Sequence, residues 1–166
     1  HPERFAEVAS LLDRSGLKWS RRSSPPQASD KNSDAILLDT IGELSSVYSL
    51  GTIVFVGGSI SATGGHNILE PAAVGAAIIT GPHTHNFAAI TRAFIKAGAI
   101  VQLTSGNNRE SARALSAAIN YLLSNEARRL ELQTKAKKLQ EQNRGATERT
   151  IHYLEPLLTG SRQTIP

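Results

Sequence analysis

Short apolar runs alternate with segments of helical periodicity over the first two thirds of the chain. The apolar runs predict strands at residues 17–20, 35–38, 53–56, 76–80 and 99–103. The run at 35–38 is continuously apolar, as is typical of a parallel strand that is covered on both faces. The alternation therefore predicts an α/β fold with a doubly wound, Rossmann-like parallel sheet.

Helices are predicted at residues 2–15, 40–50, 68–75, 86–97, 110–122, 124–142 and 146–158. Because no strand is predicted after residue 103, the last three form extra C-terminal helices. The polar segment 22–33 is predicted to be a mobile loop, since it has little to bury. The length suits one domain, predicted at residues 1–158 and followed by a flexible tail at 159–166.

Two helices have distinct apolar faces. In the 86–97 helix, the side chains predicted to face the core are those of Phe87, Ile90, Phe94 and Ile95. In the 110–122 helix, the predicted apolar stripe consists of Ala114, Leu115, Ala118, Ile119 and Leu122. Trp19 and Tyr48 are also interpreted as core residues rather than as a platform for a ligand.

The composition excludes several classes of protein. The net charge of +4 comes from 18 basic and 14 acidic residues that are scattered, and aromatic residues are few. Nucleic-acid binding needs a denser basic face, so no nucleic-acid partner is expected. The absence of cysteine rules out disulfides and thiol chemistry. No segment has the length of a transmembrane helix or signal peptide, so this chain is expected to be soluble.

The start of the chain lacks a strand that the alternation of strands and helices leads us to expect. The 2–15 helix has no strand before it, and the sequence opens with His1 and contains no methionine. We therefore expect that the first strand is missing and that the chain is a fragment of a longer protein.

A glycine-rich stretch follows the strand at 53–56 and leads into the helix at 68–75. Backbone N–H groups in such a turn, beside a helix N-terminus, favour binding of an anion. Gly58, Ser59, Gly64 and Gly65 are therefore a candidate phosphate loop. The alternative is that the glycines serve only to make a tight turn.

Three loops leave the carboxyl ends of predicted strands, at residues 39–43, 57–67 and 81–86. They hold most of the glycine, histidine and polar residues of the sheet region. Ligands of open α/β sheets bind outside the carboxyl ends of the strands. The convergence of these loops predicts a ligand site.

Two carboxylates in this region have two interpretations each. Asn67 and Glu70 have the spacing of a helix-capping pair, but Glu70 could instead accept hydrogen bonds from ribose hydroxyls while Asn67 orients a phosphate or sugar oxygen. Glu43 has capping-box spacing with Thr40, but the backbone at 41–43 could instead read the edge of a base.

Three histidines lie in the same loops. His66, His83 and His85 lack the spacing of a metal site, so no metal is expected. His66 and His83 are better interpreted as hydrogen-bond donors beside an anion. The sequence has no arrangement typical of a nucleophilic hydrolase.

Several longer strings resemble one known family. They are His-Pro-Glu-Arg-Phe at 1–5, Asp-Thr-Ile-Gly-Glu-Leu at 39–44, Phe-Val-Gly-Gly-Ser at 55–59, Gly-Gly-His-Asn-Ile-Leu-Glu-Pro-Ala at 64–72, Gly-Pro-His-Thr-His-Asn-Phe at 81–87 and Asn-Arg-Gly-Ala-Thr-Glu-Arg-Thr at 143–150. In this order they resemble the C-terminal half of 3-deoxy-D-manno-octulosonic acid (Kdo) transferases, lipid IV(A) Kdo transferases included, over nearly the whole chain.

The resemblance implies the donor-binding domain of a two-domain GT-B glycosyltransferase. Such an enzyme moves Kdo from CMP-Kdo to a lipid A precursor in lipopolysaccharide biosynthesis, at the cytoplasmic face of the bacterial inner membrane. It uses no cofactor, since CMP-Kdo is a substrate. The acceptor, the catalytic carboxylate and the membrane association belong to the N-terminal domain or the parent protein. The fragment alone is therefore expected to be inactive, with no catalytic residue of its own.

The family's motifs also imply roles for particular residues. His1 would lie by the CMP pocket, and Ile41, Gly42 and Glu43 would contact the nucleotide. The ribose and phosphate side would be held by Asn67, Ile68, Leu69 and Glu70. The family has Met where Ile41 stands, and often an aromatic residue at His85.

Two other functions fit the same sequence features. One is a GT-B transferase or an epimerase that uses a UDP-sugar, which would share the glycine loop and the glutamate. The other is a regulatory or scaffolding module that has kept the fold and binds no ligand.

Overall fold

The computed structural model describes residues 2–143, together with Ile151 and Leu154, which are helical. His1 lies outside the described residues. So do the rest of the predicted 146–158 helix and the predicted tail at 159–166.

The chain divides into two compact units, His1–Val47 and Tyr48–Pro166. Each unit contains its own parallel sheet, of two strands in the first and three in the second. The predicted parallel pairing of the strands is confirmed in both.

The first unit begins with a 3-10 helix, Pro2–Arg4, which runs into helix α1, Phe5–Ser15. Gly16 ends α1 in the left-handed conformation, with φ of 77°, as its position in the sequence predicts. Strand β1, Trp19–Arg21, pairs with strand β2, Ala35–Leu37, and helix α2, Leu44–Tyr48, crosses into the second unit.

Three predictions in the first unit are wrong. Segment 22–33 contains a 3-10 helix, Ala28–Asn32, because Gln27 and Asp30 form a capping box. Strand β2 is not covered on both faces, since Ile36 is 66% exposed. The 40–50 helix begins only at Leu44, because the Thr40 hydroxyl bonds to the Glu43 carboxylate rather than to a backbone N–H.

The second unit contains the strands that run on to the candidate site. Strand β3, Ile53–Val56, is followed by helix α3, Leu69–Ala73, and strand β4, Ala77–Thr80. A 3-10 helix, His85–Phe87, leads into helix α4, Ala88–Lys96, and strand β5, Val101–Gln102. Helices α5, Asn108–Ser124, and α6, Glu126–Asn143, follow.

The three strands lie in the order β3-β4-β5. All four residues of the central strand β4 are buried, so this strand, rather than β2, is the one covered on both faces. Residue pairs Ile53–Ala77 and Ile79–Val101 fix the register.

Alternate residues of the strands supply two apolar clusters. The first contains Val56, Ile78 and Phe94 and includes side chains from α3 and α4. The second contains Ile79 and Leu122, and the predicted stripe of α5 packs in or against it. The division follows from the period of two along a strand, which sends neighbouring side chains to opposite faces.

Helix α6 packs on both clusters. It contributes Ala136 to the first cluster and Leu132 to the second. The Gln133 side chain donates a hydrogen bond of 3.4 Å to the carbonyl of Thr52, just before β3. Helix α6 therefore packs across both apolar clusters, and its Gln133 side chain reaches the segment just before β3.

The predicted inner face of the 86–97 helix is partly correct. Phe94 is fully buried in the first cluster and Ile90 packs against it. Ile95 is 38% exposed, because one residue along a helix turns the side chain by about 100° away from Phe94. Phe87 is half-buried in the preceding 3-10 helix.

Truncation of Phe94 should be far more destabilising than truncation of its neighbour. Phe94→Ala leaves a cavity in the first cluster and should lower the free energy of unfolding by about 3–5 kcal/mol. Ile95→Ala, on the same helix, should cost less than about 1 kcal/mol. Urea unfolding of both variants measures the difference, and equal losses would contradict the assignment of the inner face.

Candidate functional site

Ser59 joins the loop after β3 to the loop after β4. Its buried hydroxyl donates to the carbonyl of Val56 at 2.5 Å and accepts from the N–H of Gly81 at 2.8 Å. The Ser59 carbonyl also accepts from the N–H of His83 at 2.9 Å. Two of the three predicted loops are therefore brought together at the carboxyl ends of β3 and β4.

Gly81 allows the two loop backbones to touch. A Cβ atom at residue 81 would overlap the Ser59 carbonyl group and lie 2.7 Å from the backbone nitrogen of Ile60. Both neighbours are backbone atoms, which cannot rotate away. Any side chain at this position would therefore separate the loops.

Three glycines of the candidate phosphate loop have left-handed backbone conformations. The φ angles are 68° at Gly58, 98° at Gly64 and 75° at Gly65. The N–H of Gly65 closes the loop by donating to the carbonyl of Gly58 at 2.8 Å. The tight-turn interpretation thus accounts for these three glycines, so a phosphate-binding role needs support from other observations.

The short helix α3 changes the expected source of anion binding. Its five residues, Leu69–Ala73, align few peptide dipoles, so the field at its N-terminus is weak. Any attraction for an anion must come from individual N–H groups and side chains of the loops.

Among the described residues, no group of three or more His, Asp or Glu side chains could hold a metal ion.

Asn67 and Glu70 do not form the capping box that their spacing allows. The Asn67 side chain accepts from the N–H of Leu69 at 3.0 Å and donates to Oε1 of Glu70 at 3.2 Å. The N-cap of α3 is Ile68, one residue later than the pattern predicts. The Glu70 carboxylate is exposed and, within the described part of the chain, bonds only to this amide.

A second pair with the same spacing provides an internal comparison. Asn107 and Glu110 form a complete capping box at the start of α5, with hydrogen bonds of 3.0 Å and 2.8 Å between side chains and backbone. There both side chains are occupied in capping the N-terminus of the helix. Glu70 is instead free to accept hydrogen bonds, which favours its interpretation as a ligand-binding residue.

The negative charge of Glu70 affects the pKa of Tyr48. Burial and then the negative charge of Glu70 raise the pKa of the Tyr48 hydroxyl above its ordinary value. The hydroxyl therefore stays protonated and remains a hydrogen-bond donor. Its link to Glu70 is missed from sequence, because the two residues are separated by a strand and a loop.

The loop after β2 holds Glu43 on both of its oxygens. Nη2 of Arg22 donates to Oε1 at 2.8 Å, and the Thr40 hydroxyl donates to Oε2. Ile41 is 81% exposed, and Gly42 has φ of 89° with open space where a Cβ would lie. The backbone at Ile41 and Gly42 is thus accessible, while the Glu43 side chain is fixed.

A pocket of about 340 Å³ adjoins this loop within the first unit. It is lined by Pro2, Phe5, Leu38, Thr40, Ile41, Gly42 and Leu44. The pocket therefore includes two of the predicted nucleotide contacts, beside apolar side chains that could cover a planar ring. Glu43 does not line the pocket, and His1, which is also predicted to contact the nucleotide, lies outside the described residues.

Asp39 anchors the same loop to the end of β1. Burial alone would raise the pKa of its carboxyl group. Hydrogen bonds from the Ser23 hydroxyl and N–H, at 2.7 Å and 3.0 Å, and the charge of Arg21 outweigh burial, so the pKa lies below its ordinary value. The carboxylate is therefore charged and fully engaged at neutral pH.

Among solved structures, this chain is similar to the C-terminal CMP-Kdo binding domain of WaaA from Acinetobacter baumannii. The two share 33% sequence identity with a TM-score of 0.69, over 84% of this chain and 69% of that one. The chain belongs to the Kdo transferase family.

Two curated 3-deoxy-D-manno-octulosonic acid transferases extend the comparison. The one from Haemophilus influenzae is 38% identical over 95% of this chain, and the one from Bordetella pertussis is 37% identical over the same share. The matched region is 36% of the length of each, so this chain spans about a third of these relatives. A search of protein-family models found no match.

Membership of the Kdo transferase family confirms the resemblance inferred from the motifs and the predicted fold class. The individual nucleotide contacts remain predictions. No helix in the described part of this family member is long and apolar enough to cross a membrane.

Substitution of Gly81 should disrupt this Kdo transferase domain, whereas substitution of Gly57 should not. Gly81→Ala forces the loops after β3 and β4 apart and should lower the free energy of unfolding by about 3 kcal/mol or more. Gly57→Ala meets no atom within 4 Å and should change it by less than about 0.5 kcal/mol. Thermal unfolding compares the two, and tolerance of Gly81→Ala would refute the contact.

Asp39 should make the stability of the folded chain depend on acid pH. Its pKa is lower in the folded chain than the ordinary value of 3.8, so its contribution is complete above that value and is lost as the pH falls through the folded pKa. Ser23→Ala should raise this pKa, as carboxyl NMR titration would show. Ser24→Ala is the matched control and should leave it unchanged.

Proposed function

We propose that this chain is the donor-binding part of a Kdo transferase and that it binds the CMP moiety of CMP-Kdo. The similarity to the C-terminal CMP-Kdo binding domain from Acinetobacter baumannii carries this proposal. The loops at the carboxyl ends of the strands support it, since this is where α/β sheets bind nucleotides.

In the second unit, Asn67 and Glu70 are proposed to hold the ribose and phosphate side of the nucleotide. Glu70 has one carboxylate oxygen without a hydrogen bond in the described part of the chain, as acceptance from a vicinal diol requires. Ile68 is buried and Leu69 is half-buried, so these two contribute backbone and packing rather than polar side-chain contacts.

In the first unit, the backbone of Ile41 and Gly42 is proposed to read the edge of the cytosine base. The exposed backbone and the adjoining pocket support this role. The two partners of Glu43 hold the end of the loop in place, so the peptide groups at 41–43 are already oriented before the nucleotide arrives.

In the parent protein, we propose that Kdo moves from CMP-Kdo to a lipid A precursor and that CMP is the leaving group. Donors aimed at the phosphate would stabilise the negative charge that develops there. The acceptor and the catalytic carboxylate would belong to an N-terminal GT-B domain at the inner membrane. This chain by itself is then expected to bind the nucleotide without transferring sugar, and to need no cofactor.

Glu70→Ala should weaken CMP binding by at least about tenfold, or roughly 1.4 kcal/mol, with only a small loss of stability. Glu110→Ala is the matched control, because it breaks the capping box of α5 and should cost about 1 kcal/mol of stability without changing the affinity for CMP. Calorimetric titration and thermal unfolding of both variants measure the two effects separately.

Three outcomes would contradict the proposal. Tighter binding of UMP or UDP than of CMP would indicate a transferase or epimerase for a UDP-sugar. A lack of binding to any nucleotide would indicate a module without a ligand. If Glu70→Ala lowers the stability but leaves the affinity for CMP unchanged, Glu70 caps the helix and does not bind the ligand.

A further inference from the structure

The outer part of the loop after β3 is held by one side chain from the loop after β4. Nδ2 of Asn86 donates to the carbonyl of Thr63 at 2.9 Å. The N–H of the same residue donates to the carbonyl of Gly64 at 3.1 Å. Asn86 thus donates hydrogen bonds to two consecutive carbonyl groups in the middle of the candidate phosphate loop.

The first of these bonds determines where the next N–H points. The carbonyl of Thr63 and the N–H of Gly64 belong to one planar, trans peptide group, in which they face opposite directions. Because the carbonyl is turned toward Asn86, the Gly64 N–H is turned away from it. Gly64 is buried, and its N–H makes no hydrogen bond within the described part of the chain.

The other peptide group of Gly64 is already occupied. Its carbonyl accepts from the Asn86 N–H, and the following N–H, that of Gly65, donates to Gly58. The 63–64 peptide group therefore combines a carbonyl held by the Asn86 side chain with an N–H donor that no described residue uses.

The contact explains why residue 64 is glycine. A Cβ atom there would lie 2.6 Å from both Nδ2 of Asn86 and Nε2 of His85, and the φ of 98° disfavours any other residue. The close approach lets the Asn86 amide reach the loop backbone.

We propose that Asn86 is a positioning residue of the donor site, which aims the Gly64 N–H at the phosphate of the bound nucleotide. This inference rests on the proposed function and adds to it a specific phosphate donor and the side chain that orients it. A buried N–H without a protein partner is costly, and an anionic oxygen would satisfy it with a charge-assisted hydrogen bond.

Asn86→Ala releases the 63–64 peptide group and should weaken the binding of CMP by about tenfold. The affinity for cytidine, which has no phosphate, should stay within about twofold of the wild type. Asn125→Ala is the matched control, because it removes a side-chain hydrogen bond to the N–H of Arg128 and should change neither affinity. NMR titrations with CMP and cytidine provide all the dissociation constants.

The outcomes separate this inference from the proposed function. If the wild type does not bind CMP, the proposed function fails. If the wild type binds CMP but Asn86→Ala weakens CMP and cytidine equally, or neither, the positioning role is wrong and the proposed function stands.

A second measurement on the wild type covers the case in which Asn86→Ala does not fold. The amide proton of Gly64 should shift downfield on saturation with CMP and not with cytidine. An unchanged Gly64 resonance in the CMP complex would overturn the inference.

Discussion

The contact between Ser59 and Gly81 is the constraint on which the loops at the carboxyl ends of β3 and β4 depend. One buried hydroxyl bonds to the end of β3 and to the start of the loop after β4, and the absence of a side chain at residue 81 lets the two backbones meet. The loop after β3 contains no helix or strand, and the loop after β4 contains only the 3-10 helix His85–Phe87. The Ser59–Gly81 contact therefore holds the two loop backbones against each other where they leave the strands.

The two Asn-x-x-Glu segments show how much a short motif leaves undecided. Asn107 is itself the N-cap of α5 in an extended conformation, with φ of −69° and ψ of 172°, so its box closes. Asn67 precedes an N-cap, Ile68, that is already helical, with φ of −93° and ψ of −10°. The different backbone before each helix decides whether the glutamate caps it, and that backbone comes from tertiary contacts of the glycine loop.

The sequence predicts elements whose signal is local. The apolar run of β3, the stripe of α5 and the glycine that ends α1 are each recovered from a few neighbouring residues. Features that depend on pairing across the chain are not recovered. The ion pair between Arg22 and Glu43 joins residues 21 positions apart, and the bond from Asn86 to Thr63 spans 23.

Helix α6 and the exposed loop residues differ in how freely they can be substituted during evolution. The helix contributes Ala136 to one apolar cluster and Leu132 to the other, so it is tied to both faces of the sheet. By contrast, Ile41, His66 and Glu70 are exposed at the loops and the start of α3. Substitutions at these exposed positions can change the loop surface while the sheet persists. Exposed loop positions can therefore vary during evolution at little cost, whereas the residues that α6 packs against maintain the fold.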